Sequence, residues 1–283
     1  MARRDSLQFL RPHSGKHAIL EAVITLQLSQ ESPLLPAEDF RALHKGAFKR
    51  EFPKFEIVRG MEFGLTSGEP VTIQQGELPT IGFGFCSYKS DGSLLQRIRY
   101  EKSQAHWIAV NFLEYSRWEP CRKRALDWLS GVAKKIKQVT PKEGVKVSGL
   151  SVHYIDHLHW ETDAPPPLKE IFNPNSKFLP ARLREDVYDW QSRVAYKRKK
   201  NSLMHTDSVS VLAQVNPQTK HRRFIIDIPL SVTLAEPVAI GEFLADPGKQ
   251  GFAALSNSLH SDNKLYMKDI LMLKVRRMIG LRS

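Results

Sequence analysis

From Ile19 to Leu28 the chain alternates: Ala22, Ile24, Leu26 and Leu28 are apolar, and Glu21, Thr25 and Gln27 stand between them. On a helix this period of two would scatter the apolar residues around the circumference, whereas on a β-strand it gathers them on one face. A sheet with one buried face is the first thing the sequence requires. The same reasoning reads residues 55–63, 81–89, 94–101 and 107–115 as short strands separated by turn residues such as Ser90-Asp91-Gly92, an antiparallel meander. Residues 147–160 form a further strand, and 187–197, 208–215 and 223–233 a second meander.

Elsewhere the period becomes helical. Phe40, Leu43, Ala47 and Phe48 recur at helical spacing within 37–50. From Trp118 to Val139, Cys121, Ala125, Trp128, Leu129, Val132 and Ile136 share one side, with Pro120 in the first turn. A short helix is expected at 168–172 and a last long one over 252–279, striped by Leu255, Leu259, Tyr266 and Ile270. The expected fold is α+β, antiparallel sheet covered by two long helices. Strand, helix, meander and long helix occur twice in that order, which suggests a pseudo-duplicated unit with halves 1–146 and 147–283 inside one continuous structure.

With 41% hydrophobic and 25% charged residues, the 283-residue chain is in the range of ordinary globular domains. The opening residues, through Phe9-Leu10-Arg11-Pro12, lack the apolar core of a signal peptide, and no apolar run reaches the ~18 residues of a membrane span. A cytoplasmic location without membrane contact is therefore expected. Cys86 and Cys121 have no paired spacing and are expected as reduced thiols. The net charge of +12 is concentrated in 121–150, 191–200 and 271–283, which together carry more than the whole surplus. Such clustering fits an anionic partner.

Four segments carry a family resemblance: Ile19-Leu20-Glu21-Ala22-Val23, Trp107-Ile108-Ala109-Val110-Asn111-Phe112, Gly149-Leu150-Ser151-Val152-His153-Tyr154-Ile155-Asp156, and Leu259-His260 with Asn263-Lys264, Tyr266 and Ile270. In this order they resemble a sporadically distributed bacterial family of roughly 260 residues, a one- or two-domain size, with a Glu-Ala strand near the N-terminus, a central Tyr-Ile-Asn/Asp strand and a C-terminal Leu-His helix. His153 stands where the family commonly has arginine. The resemblance implies a module acting with neighbours in a bacterial accessory, mobile-element or antiviral defence system. It supplies no catalytic residues.

Two constellations could carry chemistry. His153, His157 and His159 alternate on one face of the central strand, where residues two apart lie ~6.5–7 Å from each other, so His157 and His159 could share a metal if a third ligand were supplied. Arg193, Lys197, Arg198, Lys199 and Lys200, interleaved with Trp190 and Tyr196 and placed near a hairpin tip, combine phosphate-neutralising charge with stacking rings. Arg122, Lys123, Lys134 and Lys135 display further charge from a helix. Ser14-Gly15-Lys16-His17 is not a phosphate loop, because Leu10 replaces its first glycine and His17 its metal-holding hydroxyl. Glu21 is read as a sheet-surface glutamate or one paired with a basic helix residue, and Asn111 as satisfying local backbone groups.

The expected function is non-catalytic binding of a DNA or RNA backbone, or of a nucleic-acid-bound partner, through those basic and aromatic residues, with no cofactor. Two alternatives are a metal hydrolase or nuclease built on the histidines, and a protein-only adaptor or toxin inhibitor that meets an acidic partner.

Overall fold

The computed structural model describes residues 6–60, 78–103, 105–141, 144–180, 189–215 and 221–281. Parts of two expected strands, 61–63 and 187–188, lie outside them. The strands are β1 (Leu10–Pro12), β2 (Ile19–Leu28), β3 (Lys54–Arg59), β4 (Thr80–Tyr88), β5 (Leu94–Lys102), β6 (His106–Phe112), β7 (Lys146–Trp160), β8 (Trp190–Lys200), β9 (Leu203–Val215) and β10 (Arg222–Ala239). The helices are α1 (Ala37–Leu43), continued by a π-helical turn over His44–Phe48, α2 (Trp118–Val139), α3 (Leu168–Ile171), α4 (Ile240–Ala245), α5 (Phe252–Ile270) and α6 (Leu273–Met278).

All ten strands join one antiparallel sheet in the order β3-β4-β5-β6-β2-β7-β10-β9-β8, with β1 paired to the end of β7. β7 is the spine. Along one side it pairs with β10 over its whole length; along the other it meets β2 up to Asp156 and β1 from Leu158 to Trp160. The alternation that signalled β2 is realised, with Ala22, Ile24, Leu26 and Leu28 buried. Its buried face continues sideways through Val110 and Phe112, Val152 and Tyr154, and Ile226 and Ile228.

The described helices pack on this apolar face. Phe40 of α1 stacks on Phe83 at 4.3 Å, Trp128 of α2 stacks on Phe112 at 5.3 Å, and the Tyr154 hydroxyl and His260 Nδ1 of α5 are hydrogen-bonded at 2.7 Å. Each fully buried large side chain contributes about 1.5–3 kcal/mol. The opposite face carries half-buried polar side chains, among them Thr25, Gln27, Ser151 and His153.

The expected architecture of a sheet covered by two long helices is corrected. Among the described residues a single ten-stranded sheet dominates, 42% strand against 28% helix, and the helix is divided among six α-segments, of which α1, α3, α4 and α6 have only four to seven residues. The expected helix over 252–279 breaks after Ile270. There Leu271 turns extended and bridges Phe172, while the Asn173 N–H donates to Ile270 O and the Met272 N–H to Ile171 O. These distant hydrogen bonds satisfy the backbone groups that would otherwise continue the helix. Cys86 and Cys121 are free and buried. No described helix is long and apolar enough to cross a membrane.

Candidate functional site

The basic residues singled out in the sequence do not converge on one surface. A strand sends successive side chains to opposite faces, so the run at the end of β8 divides: Arg193, Lys197 and Lys199 are exposed, whereas Trp190, Tyr196, Arg198 and Lys200 turn toward the helices. Arg198 Nε lies 2.5 Å from Asp207 and its second terminal nitrogen 2.6 Å from Asp262, while Lys200 Nζ lies 3.0 Å from Asp262. The Tyr196 hydroxyl donates to Tyr266 at 2.7 Å, and Trp190 packs edge-on against Phe172. Arg198 and Lys200 thus neutralise buried carboxylates instead of facing outward. The hairpin tip itself is Asn201-Ser202, both at positive φ as a two-residue turn requires. On α2, Arg122 is paired with Glu119 at 2.5 Å, and Lys123 and Lys134 are exposed with Lys135 half-buried. α2 packs on the covered side of the sheet, and the outward residues of β8 point away from it.

Glu21 accepts a hydrogen bond from Asn111 Nδ2 at 2.6 Å across β2 and β6, so the two polar residues noted inside strands are paired with each other, while Asn111 Oδ1 has no partner among the described residues. His153 is hydrogen-bonded to Asp227 of β10 and stands apart from the other histidines. His157 and His159 instead meet His13, from the loop between β1 and β2, which the strand pattern could not reveal.

The chief concavity of chemical interest is a cavity of about 1070 Å³ on the helix side, at the end of the sheet where β2 leaves β7. Its walls come from five stretches: the β1–β2 loop (Ser14 to Ile19), the start of α2 (Tyr115 to Trp118), Asp156 of β7, one flank of α5 (His260, Asn263, Lys264, Met267) and Ile279 to Leu281. Strand alternation explains the floor. Asp156 lies between outward His157 and Ile155 and so faces the helices, where it is 3% exposed. Burial pushes its carboxyl up to about 7. Burial and then the Lys264 charge lower His260 to about 3, so that ring is neutral and stacks on Trp118 at 4.5 Å. Burial also lowers His17, whose ring meets Tyr115 edge-on.

Among the described residues, three buried polar atoms lining this cavity have no hydrogen-bond partner: Asp156 Oδ2, Asn263 Oδ1 and His17 Nδ1. Such atoms are uncommon because each costs ~1–3 kcal/mol when left unpaired. The mouth is cationic. Lys16, Arg117 and Lys264 are exposed, and among the described residues none of them is ion-paired and the only carboxylate on the lining is the floor Asp156. α2 also begins here, its N-cap Arg117 offering no side-chain cap, so the positive end of a 22-residue helix points into the same mouth.

Sequence reasoning missed the cavity as a site because its parts are far apart along the chain. A signal was nevertheless present: the Tyr154-to-Asp156 and His260-to-Lys264 segments, two of those carrying the family resemblance, meet here. Compared with protein families, curated proteins and solved structures, the chain finds no match in any of the three.

Proposed function

We propose that the chain binds a phosphate-bearing small molecule of the nucleotide class in the cavity over Asp156. The observation that carries this is the pairing of a cationic mouth, Lys16, Arg117 and Lys264 beside the start of α2, with unpartnered Asp156 and Asn263 inside. Lysine, arginine and helix N-termini are the usual partners of phosphate oxygens. A carboxyl and a carboxamide lining the same cavity can present the donors and acceptors that read the edge of a base. The aromatic wall of Trp118 and Tyr115 suits a flat ring, and the volume is that of a site for a whole small molecule.

Isothermal titration with the four ribonucleoside monophosphates, adenosine and inorganic phosphate tests the reading. At least one monophosphate should bind well above its nucleoside. Arg117→Ala and Lys264→Ala should each weaken it roughly 10- to 100-fold, the worth of one charge-assisted hydrogen bond. Adenosine binding as tightly as its monophosphate, or affinities unchanged in both variants, would overturn it.

A second reading, the expected nucleic-acid-binding subunit of a defence system, is supported by the outward Arg193, Lys197 and Lys199 on edge strand β8. Reversal of Lys197 and Lys199 should then flatten the salt dependence of DNA or RNA binding, by about 0.9 in log-log slope for each duplex phosphate no longer neutralised. An unchanged slope removes this reading.

A further inference from the structure

On the opposite face of β7 from Asp156, His157 and His159 project side by side. β1 crosses beside them and its following loop returns His13 to the same point. The three imidazoles form a nearly regular triangle, with ring centroids 6.1 Å (His13 to His157), 6.2 Å (His13 to His159) and 6.1 Å (His157 to His159) apart. One nitrogen from each lies within 4.8 Å of the other two. Nitrogens bound tetrahedrally to one zinc at ~2.0–2.1 Å are about 3.3 Å apart, so small ring rotations close the difference.

The backbone holds this triangle. The His13 N–H donates to His157 O at 3.1 Å, and the His157 N–H donates to Ala18 O at 2.7 Å. Between those two bonds the loop is tightened by Gly15, whose N–H donates to Pro12 O at φ +77°, and by the Ser14 N–H to His17 O bond. Two ligands therefore sit on the rigid central strand and the third on a loop pinned to that strand at both ends.

We infer that His13, His157 and His159 bind one divalent transition metal of the zinc class, with the fourth tetrahedral position left to a small ligand. Imidazole nitrogens without thiolates suit zinc, nickel or copper over calcium or magnesium. Arg223, opposite His159 on β10, disfavours a bare cation but favours an anionic fourth ligand such as hydroxide or a carboxylate. His153, though on the same strand face, is engaged by Asp227 and takes no part.

The site is independent of the nucleotide reading and is tested on metal alone. The full chain, stripped with a chelator, is titrated with Zn²⁺ against a chromophoric competitor, and with Co²⁺ for the visible absorption of a tetrahedral ion. One equivalent should bind. His13→Ala alters an exposed residue, so folding is preserved; it should weaken binding by more than the roughly 10- to 100-fold cost of losing a mere supporting neighbour of a metal ligand. His153→Ala should leave affinity and spectrum unchanged. Binding only at millimolar metal, a stoichiometry other than one, equal effects of His13→Ala and His153→Ala, or an octahedral cobalt spectrum would each overturn the assignment.

Discussion

Arg198→Ala tests whether the basic run of β8 serves the interior or the surface. The guanidinium joins Asp207, which is 0% exposed, to Asp262, and Asp207 Oδ1 already lacks a partner among the described residues. Truncation leaves Asp207 with only the hydroxyl of Tyr266, while Lys200 still serves Asp262. Removing one member of a buried ion pair costs ~3–5 kcal/mol. The Arg198 side chain retains 29% exposure, so water screens part of the lost charge and the lower end, about 3 kcal/mol, is expected. A chain of 283 residues has an unfolding entropy of about 0.6 kcal/mol/K, which converts this loss to a fall of about 5 °C in Tm. Lys199→Ala, one residue along and exposed, should change stability by no more than ~0.5 kcal/mol. In thermal unfolding followed by circular dichroism, Asp207→Asn added to Arg198→Ala should recover part of the loss, because the orphaned charge is gone. Equal effects of Arg198→Ala and Lys199→Ala would refute the division of this run between two faces.

Three further outcomes are expected. Burial holds His106 at about 4 and His260 at about 3, below the unfolded value near 6.5, so their contribution is complete above pH 6.5 and falls with acidification by ~1.4 kcal/mol per unit for each histidine; urea titrations from pH 7 to 4.5 should show this slope, shallower in His106→Gln. A Cβ at Gly149 would lie 2.6 Å from Gln27 Oε1 and 2.7 Å from Val232 O, so Gly149→Ala should destabilise by ~1–3 kcal/mol, whereas at helical Gly46 nothing lies within 4 Å and Gly46→Ala should stabilise by ~0.4–1 kcal/mol; both are read from urea midpoints. Leu259, 0% exposed on α5, should cost ~2–5 kcal/mol as Leu259→Ala in the same assay, and a loss below 1 kcal/mol would mean that α5 does not close the core.

The sequence reveals what local periodicity encodes. β2, β7 and α2 are legible because their apolar residues recur every two or three to four positions, and the cores they form use those residues. β1 is not, since three residues carry no period, and with it goes His13. The break after Ile270 is illegible because its cause is Ile171 to Asn173, about a hundred residues upstream. A strand face groups His153 with His157 and His159; what separates them is Asp227 on a neighbouring strand. Charge alone reads the basic run as one cluster, although the alternation used elsewhere splits it, and charge cannot say that Asp207 and Asp262 lie beneath. Lys16 and Arg117 are invisible as a pair, being brought together by the fold.

The position of β7 at the centre of the sheet has a consequence for how the chain reaches its native state. Ala22 pairs with Tyr154, and Tyr154 with Ile228, so the partners of this strand lie far away in both directions along the chain. During synthesis the first half can zip β3 through β6 onto β2 locally, yet one edge of β2 stays bare until β7 has left the ribosome. An unpaired strand with an apolar face invites pairing with another chain. Such distant pairings also close large loops before any contact rewards them, which slows folding. The bare edge of β2 is then the segment most in need of a chaperone, and expression at low temperature, where synthesis and aggregation both slow, should raise the yield of soluble chain more than any change to the finished surface.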